Sequence, residues 1–456
     1  MRRSSSARLR VRVIAGAAVA GAALAGLMGC TSSGATSEGS ATKGNLVWWG
    51  WSPQLGPAKD FITAFNKQYP DIHITYKLVT LDGWDAALKP ALASSNGPDL
   101  YGISPGPKVA NYGDQAVDLA PAIKASLGAE WKSKVTPLDY VPQMYTSSGK
   151  LVGAGVGTAD GGSMWINKDL FDKYKLTPPT TLAEWASDCA VFKKNGVTCF
   201  VHGAAQAAFD RDVLQSISNS IKPGVWTAAS QGKAKWTDPT IVQALTVWKS
   251  LFTGGIIQPG AVAAMQFPDA QNQFFKGNTA MIMMGTWETQ YATVKGMAAA
   301  QAAAGVANPK PFVMIPIPFP SVTGTSAPQY AMYGDVDYAV AVNSKSKYVA
   351  AAKTFAVWLG TSEAGQQAIA NSGGDIASLL SAKPDWPAVG LVDPAVQQAP
   401  IQALDTAAGK ITQPRLGILT QDMTNAVGAA ATSVGAGQAS PKQAAQTLQD
   451  AFSATF

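Results

Sequence analysis

Histidine and cysteine are almost missing from this chain, which has 2 His and 3 Cys in 456 residues. Zinc sites draw three or four ligands largely from those residue types, and only His73, His202, Cys30, Cys189 and Cys199 are on offer. No carboxylate loop of the calcium type appears either. The sequence thus argues against a metal centre. It asks for no cofactor: Gly153, Gly155 and Gly157 are spaced G-x-G-x-G and do not continue to the dinucleotide pattern. Charge is scarce too, at 14% of residues. The formal net charge of +6 is owed to one end, because Arg2, Arg3, Arg8, Arg10 and Arg12 precede Cys30 and no acid does. Removing those 5 from 35 basic residues leaves 30 against 29 acidic ones, or +1. That balance excludes nucleic acid or an acidic polymer as partner. Long apolar runs are equally few: Val13 to Met28 has 16 residues, below the roughly 20 that span a bilayer. Nucleophile chemistry has one opening, Gly102-Ile103-Ser104-Pro105-Gly106, which fits G-x-S-x-G. It fails because the residue after the nucleophile must donate its backbone N–H to the oxyanion, and Pro105 has none.

What is present starts with the N-terminus. A basic segment, an apolar segment and small residues make residues 1–29 a secretory signal. Its end, Leu27-Met28-Gly29-Cys30, resembles the lipobox of bacterial lipoproteins, which implies that the Cys30 thiol takes a diacylglycerol and anchors the chain to the outer face of the cell membrane. Arg2-Arg3 leaves twin-arginine export open beside the general route. Residues 30–44, rich in Ser, Thr and Gly, read as a flexible tether. In an oxidising compartment the remaining thiols, Cys189 and Cys199, are expected to pair, joining a helix over Leu182 to Lys194 to the strand after Asn195-Gly196.

The body of the chain follows a βα grammar. Leu46-Val47-Trp48-Trp49 is a buried strand ended by Gly50; Phe61, Ile62 and Phe65 give a helical stripe; Ile72 to Val79 alternates as a strand does. Trp84 to Ala93 reads as a helix and Leu100 to Ile103 as a strand. A glycine-dense segment, Gly149 to Gly162, is too irregular for a helix, and the same grammar resumes after it. Hydrophobic residues at 47% and about 410 residues past the signal suit two lobes.

Several stretches resemble the extracellular solute-binding proteins, family 1, of ABC importers, the type that binds sugars. They are Asn96-Gly97-Pro98-Asp99-Leu100, Trp165-Ile166-Asn167-Lys168-Asp169-Leu170-Phe171, Val340-Ala341-Val342-Asn343-Ser344-Lys345 and, most specific, Phe275-Lys276-Gly277-Asn278-Thr279-Ala280-Met281-Ile282-Met283-Met284-Gly285-Thr286-Trp287-Glu288. The resemblance implies an α/β, periplasmic-binding-protein-like fold: two lobes, each a mostly parallel sheet flanked by helices, with the ligand cleft between them. The expected division is 45–155 plus 331–378 for lobe 1, and 156–330 plus 379–456 for lobe 2 and the C-terminal helices. The implied function is non-enzymatic capture of a carbohydrate, an oligosaccharide for preference, and its delivery to ABC permease subunits by a monomer. The same fold with a non-sugar solute, and a lipid-anchored glycoside hydrolase, stay open as alternatives.

A sugar needs flat aromatic platforms beside acceptors for its hydroxyls, and ligands of open α/β sheets lie beyond the C-terminal ends of strands. On those grounds the expected ligand contacts are Trp49, Trp51, Asp82, Trp84, Asp99, Asp160, Trp287, Glu288, Tyr333, Asp335, Asp337 and Asp375, with Arg415 after Pro414 a further candidate. No catalytic or metal-ligating residue is expected. Alkylation followed by mass spectrometry should leave Cys189 and Cys199 unlabelled until a reductant is added; labelling of both without reductant would show two separate thiols.

Overall fold

The computed structural model describes residues 39–324, 329–415 and 417–455. The signal, the lipid-site Cys30 and the tether up to residue 38 lie outside the described residues. Structure begins slightly earlier than the sequence suggests. Strand β1, Gly44–Gly50, includes Gly44, which is buried and donates its N–H to Asp71 O at 3.1 Å.

Six strands form the first sheet in the order β10-β4-β9-β3-β1-β2, with β2 Ile72–Leu78, β3 Leu100–Ile103, β4 Ala154–Gly161, β9 Tyr333–Val342 and β10 Ile376–Ala377. Four form the second in the order β6-β7-β5-β8, with β5 Ser163–Asn167, β6 Thr198–Val201, β7 Thr279–Met284 and β8 Met314–Pro318. This is the two-lobed α/β fold that the sequence implies. The expectation of mostly parallel sheets is corrected, however. Parallel pairing joins β1 to β2, β1 to β3 and β6 to β7, whereas β9 runs antiparallel to β3 and β4, β10 to β4, and β5 to β7 and β8. The cause is the connectivity: β4 carries the chain out of the first lobe and β9 brings it back, so the two run in opposite directions side by side.

Each lobe has its own core. In the first, Trp48, Phe61, Phe65, Trp84, Tyr101 and Phe355 are fully buried together. The helices Leu55–Asn66 and Trp84–Ala93 supply that packing at the periodicity read from the sequence. In the second, one cluster gathers Trp185, Phe200, Trp226, Trp236 and Trp248, and another Trp165, Phe274, Ile282 and Leu404. The helix Leu182–Lys194 begins at a capping box: Glu184 N donates to Thr181 Oγ1 and Thr181 N to the Glu184 carboxylate, each at 3.2 Å. Its Cys189 is disulfide-bonded to Cys199 on β6, with Cα atoms 5.0 Å apart.

The glycine-dense segment is β4, and every one of its eight residues is buried. Its glycines leave room for side chains that come from elsewhere. A Cβ on Gly155 would lie 2.2 Å from Asp139 Oδ1, and one on Gly157 would lie 2.6 Å from Asp375 Cβ. Gly162, at φ +105°, turns β4 into β5, and a Cβ there would meet Ala331 O at 2.8 Å. We predict that Gly155→Ala, which displaces the buried Asp139 carboxyl, lowers stability by about 1–3 kcal/mol, read as a reduced midpoint in urea denaturation; an unchanged midpoint would show that Asp139 is free to move.

Candidate functional site

The register of β4 against β9 sets Asp160 opposite Gly334 and Ala159 opposite Asp335. Asp375 enters just before β10, which pairs with β4 at Thr158 and Gly157. Four carboxyls therefore converge at one end of the first sheet: Asp160, Asp335, Asp337 and Asp375. Asp337 is hydrogen-bonded to Ser52, Trp51 and Asp375. Two carboxyls can hydrogen-bond to each other only by sharing a proton, so Asp337 and Asp375 titrate as a pair. Burial raises both above the usual carboxylate range, Asp375 well above it with the help of the neighbouring Asp337 charge. Asp160 is raised well above that range too, chiefly by burial, although Thr158 Oγ1 donates to its Oδ2 at 2.7 Å. Asp335 Oδ2 accepts from Gly417 N at 2.7 Å.

A cationic group faces these acids from the second lobe. The Arg415 guanidinium grips Asp212, with Nη2 at 2.7 Å from Oδ2 and Nε at 3.1 Å from Oδ1, and lies over the Trp287 ring at 4.5 Å. Asp212 also accepts from the fully buried Arg211 at 3.3 Å. Both come from the helix Ala207–Ile221, whose residues from Phe209 to Asn219 are all buried. Ion pairs in such a setting persist only when well paired. Tyr333, also buried, donates its hydroxyl to Asp212 O at 2.6 Å, which makes it a support for this pair.

Aromatic side chains stand on both walls. On the first lobe, the half-buried Trp51 ring meets the buried Trp84 edge-on at 4.8 Å. On the second are Trp287, Phe209 and Phe267, with Phe209 centroids 6.3 Å from Trp287 and 5.2 Å from Phe267. The lobes touch across the gap where Gln206 Nε2 donates to Asp82 at 3.0 and 2.9 Å, while Gln206 Oε1 accepts from Phe267 N. A cavity of about 820 Å³ lies between Pro107 and Ala110 of one lobe and Ile418, Leu419 and Phe452 of the other, and reaches the acids at Gly417, which lines it and donates its N–H to Asp335.

Of the residues expected at a ligand, the structure thus brings together Trp51, Asp82, Asp160, Trp287, Asp335, Asp337 and Asp375. The five others need correction. Trp84 is fully buried and backs Trp51 instead of presenting a face. Tyr333 is buried as well and holds Asp212 and Ser216. Asp99 sits at the N-terminal end of β3, where Oδ2 accepts from Val47 N at 2.8 Å and Oδ1 from Ser346 Oγ at 2.5 Å, so it ties strands. Glu288 is buried against Gln271 Nε2 at 3.2 Å, and burial pushes its carboxyl up to about 8. Trp49 is drawn elsewhere: it pairs with Lys77 in the register of β1 and β2, and Lys77 Nζ caps its ring at 3.9 Å. The sequence reading missed Ser52, Gln206, Phe209, Asp212 and Phe267. Of these, Asp212 had a signal, since Asp210-Arg211-Asp212 sets three charges in a row in a helix that carries no others.

Residues 51–366 match the family model described as bacterial extracellular solute-binding protein. The chain belongs to that family. Its members bind solutes and do no chemistry on them, which sets aside the glycoside-hydrolase alternative. Two uncharacterized ABC transporter extracellular-binding proteins of Pyrococcus horikoshii are 25% and 24% identical over 248 and 256 residues, 52% and 55% of this chain. The chain spans 56% of the length of each. Among solved structures, the GacH receptor of Streptomyces glaucescens, solved unliganded and with acarbose, is 18% identical with a TM-score of 0.69, covering 90% of this chain and 97% of that one. A maltose-bound protein of T. maritima is 17% identical with a TM-score of 0.67, covering 90% and 100%. A chain from work on xylan utilization by Caldanaerobius polysaccharolyticus is 21% identical with a TM-score of 0.69, covering 89% and 99%. At these identities the likeness establishes the fold.

The buried acids give a pH dependence of stability. Burial lifts Asp139 to about 7, Asp405 to about 7 and Glu288 to about 8. A carboxyl whose folded pKa is raised stabilises the fold fully below its unfolded value near 4 and loses that contribution as pH rises through the folded value. The melting temperature should therefore fall as pH goes from about 5 to about 8, with a shallower slope in Asp139→Asn; a rise over that interval would refute the assignment.

Proposed function

We propose that this chain is the lipid-anchored, extracytoplasmic solute-binding component of an ABC importer, that it captures a carbohydrate in the cleft between its lobes, and that it delivers the ligand to a membrane permease. The observation that carries the ligand class is the pairing of aromatic walls from two lobes, Trp51 on one and Trp287 with Phe209 on the other, over a floor of carboxyls and one clamped arginine. Rings of that kind cover the apolar faces of a sugar, and the carboxylates and guanidinium take its hydroxyl rim. The neighbours that bind acarbose and maltose support the same reading. The cavity of about 820 Å³ that continues between the lobes has room for more than one ring, which favours an oligosaccharide.

In this reading the lobes comprise residues 45–155 plus 331–378 and residues 156–330 plus 379–456, joined by crossings near β4 and the start of β9. Ligand binding favours the closed arrangement, in which groups from both lobes meet it at once. Cys30 supplies the anchor, the residues between it and β1 the leash, and a monomer suffices for the cycle.

A thermal-shift screen against mono- and oligosaccharides should identify a stabilising ligand. Against that sugar, Trp287→Ala should weaken binding by at least about tenfold in calorimetry, because it removes both the ring and the seat of Arg415. Unchanged affinity would remove Trp287 from the site, and silence toward all sugars with a response to peptides would overturn the ligand class.

A further inference from the structure

A second cavity, of about 340 Å³, opens at the β10 edge of the first sheet, with β4, β9 and β3 between β10 and the strand that leads to Trp51. Its volume is at the lower end of the roughly 300–1,000 Å³ typical of small-molecule sites. Both lobes contribute walls: Leu138, Ile376 and Leu380 from one side, Thr289, Asp405 and Ile411 from the other, with Trp386 from the connecting segment.

Two features mark this space as more than a packing gap. Thr289 Oγ1 and Asp375 Oδ1 have no hydrogen-bond partner, although Thr289 is 6% and Asp375 5% exposed, and both residues line the cavity. Buried polar atoms left unpaired are rare in a folded chain and call for a partner. The electrostatics says which kind. The charges acting on Asp375 are those of Asp337 and Asp160, both acidic, and Asp405 adds a third carboxyl on the wall. The Asp337–Asp375 pair, sharing one proton, keeps one negative charge, so a donor-rich cation suits this wall: an ammonium offers three N–H donors to match the unpaired Asp375 oxygen, the Thr289 hydroxyl and an Asp405 oxygen. The rest of the lining is apolar, and Trp386 adds a half-buried aromatic ring. Lys383 and Lys410, which are exposed and belong to the same lining, oppose an extended polyamine.

We propose that this cavity is a second ligand site, which takes a compact monoammonium compound with its charge toward Asp375 and Thr289 and its apolar body against Trp386, Leu380 and Ile411. The cavity has its own walls and shares with the carbohydrate cleft only Asp375, whose carboxyl pairs with Asp337 on the cleft side; the proposal does not depend on what that cleft binds. Because its walls come from both lobes, its occupant favours the arrangement of lobes seen here, and any effect on affinity in the cleft must be reciprocal.

Calorimetry on the full mature chain with cyclohexylammonium tests this, with cyclohexanol and cyclohexanecarboxylate as neutral and anionic counterparts. The expected result is saturable binding of one amine with a dissociation constant of roughly 1 mM or tighter, and at least about tenfold weaker binding of the other two. Trp386→Ala should abolish it. The near-isosteric Thr289→Val, which leaves the fold in place even where the larger truncation does not, should weaken it at least about fivefold. Phe267→Ala, on the cleft wall and outside the lining of this cavity, should leave amine binding unchanged. Equal binding of the alcohol or the carboxylate, no saturation up to about 50 mM amine, or loss in Phe267→Ala with retention in Thr289→Val would each overturn the proposal.

Discussion

The antiparallel pairing of β4 with β9 is the constraint on which the rest depends. Seven registered positions, from Ala154 opposite Val340 to Gly161 opposite Tyr333, fix the two strands that link the lobes. That register decides which side chains meet at the end of the first sheet. It places Asp160 beside Gly334 and brings Asp335 and Asp337 toward the second lobe, where Gly417 and the Arg415–Asp212 pair receive them. A shift by one residue would turn those carboxyls to the other face of the sheet. The aromatic walls are secondary in this sense: Trp51 and Trp287 are positioned through Asp337 and Arg415, whose own places follow from the crossing strands.

The acids of the site form a graded set. Asp212 is fully engaged by two arginines, Asp335 by a backbone N–H, and Asp337 shares a proton with Asp375. Such a set can give hydrogen bonds as well as accept them, because the Asp337–Asp375 pair holds a proton between its two carboxyls. A ring of sugar hydroxyls, each able to donate and accept, is matched by that mixture better than by carboxylates that are all ionised. Arg415 contributes fixed donors, held by Asp212 and by the face of Trp287, so that little side-chain freedom is lost when a ligand arrives.

Most of the fold was legible in the sequence, and the reasons are local. The helix Trp84–Ala93 and the strand Leu100–Ile103 announce themselves by periodicity and by the Asn96-Gly97-Pro98 break between them, and the bounds match. The helix start at Thr181 follows from its capping residues. Strand direction was not legible, because pairing partners far apart in sequence settle it; the apolar runs of β7 and β9 look alike, yet one has a parallel neighbour and the other has none. The site was legible in part. Tryptophans and acids after strands pointed to Trp51, Asp337 and Trp287, but the same rule drew in Asp99 and Glu288, whose carboxyls are used up by Val47, Ser346 and Gln271. What a side chain already holds is a tertiary fact. Gln206 gave no signal at all, since its partners Asp82 and Phe267 are more than a hundred and about sixty residues away.

The glycines of β4 have a consequence for how this sequence can drift. Gly155 and Gly157 are vacant positions whose volume is filled by Asp139 and Asp375. A side chain fits at Gly155 only if Asp139 shrinks in the same lineage, so those two must be exchanged together, whereas at Gly157 the Ile376 carbonyl, 2.6 Å from an added Cβ, excludes one whatever stands at 375. Related chains should accordingly be of two kinds, some bare at position 155 with a bulky acid beside it, others with a side chain there and a small neighbour, and intermediates between them should be unstable.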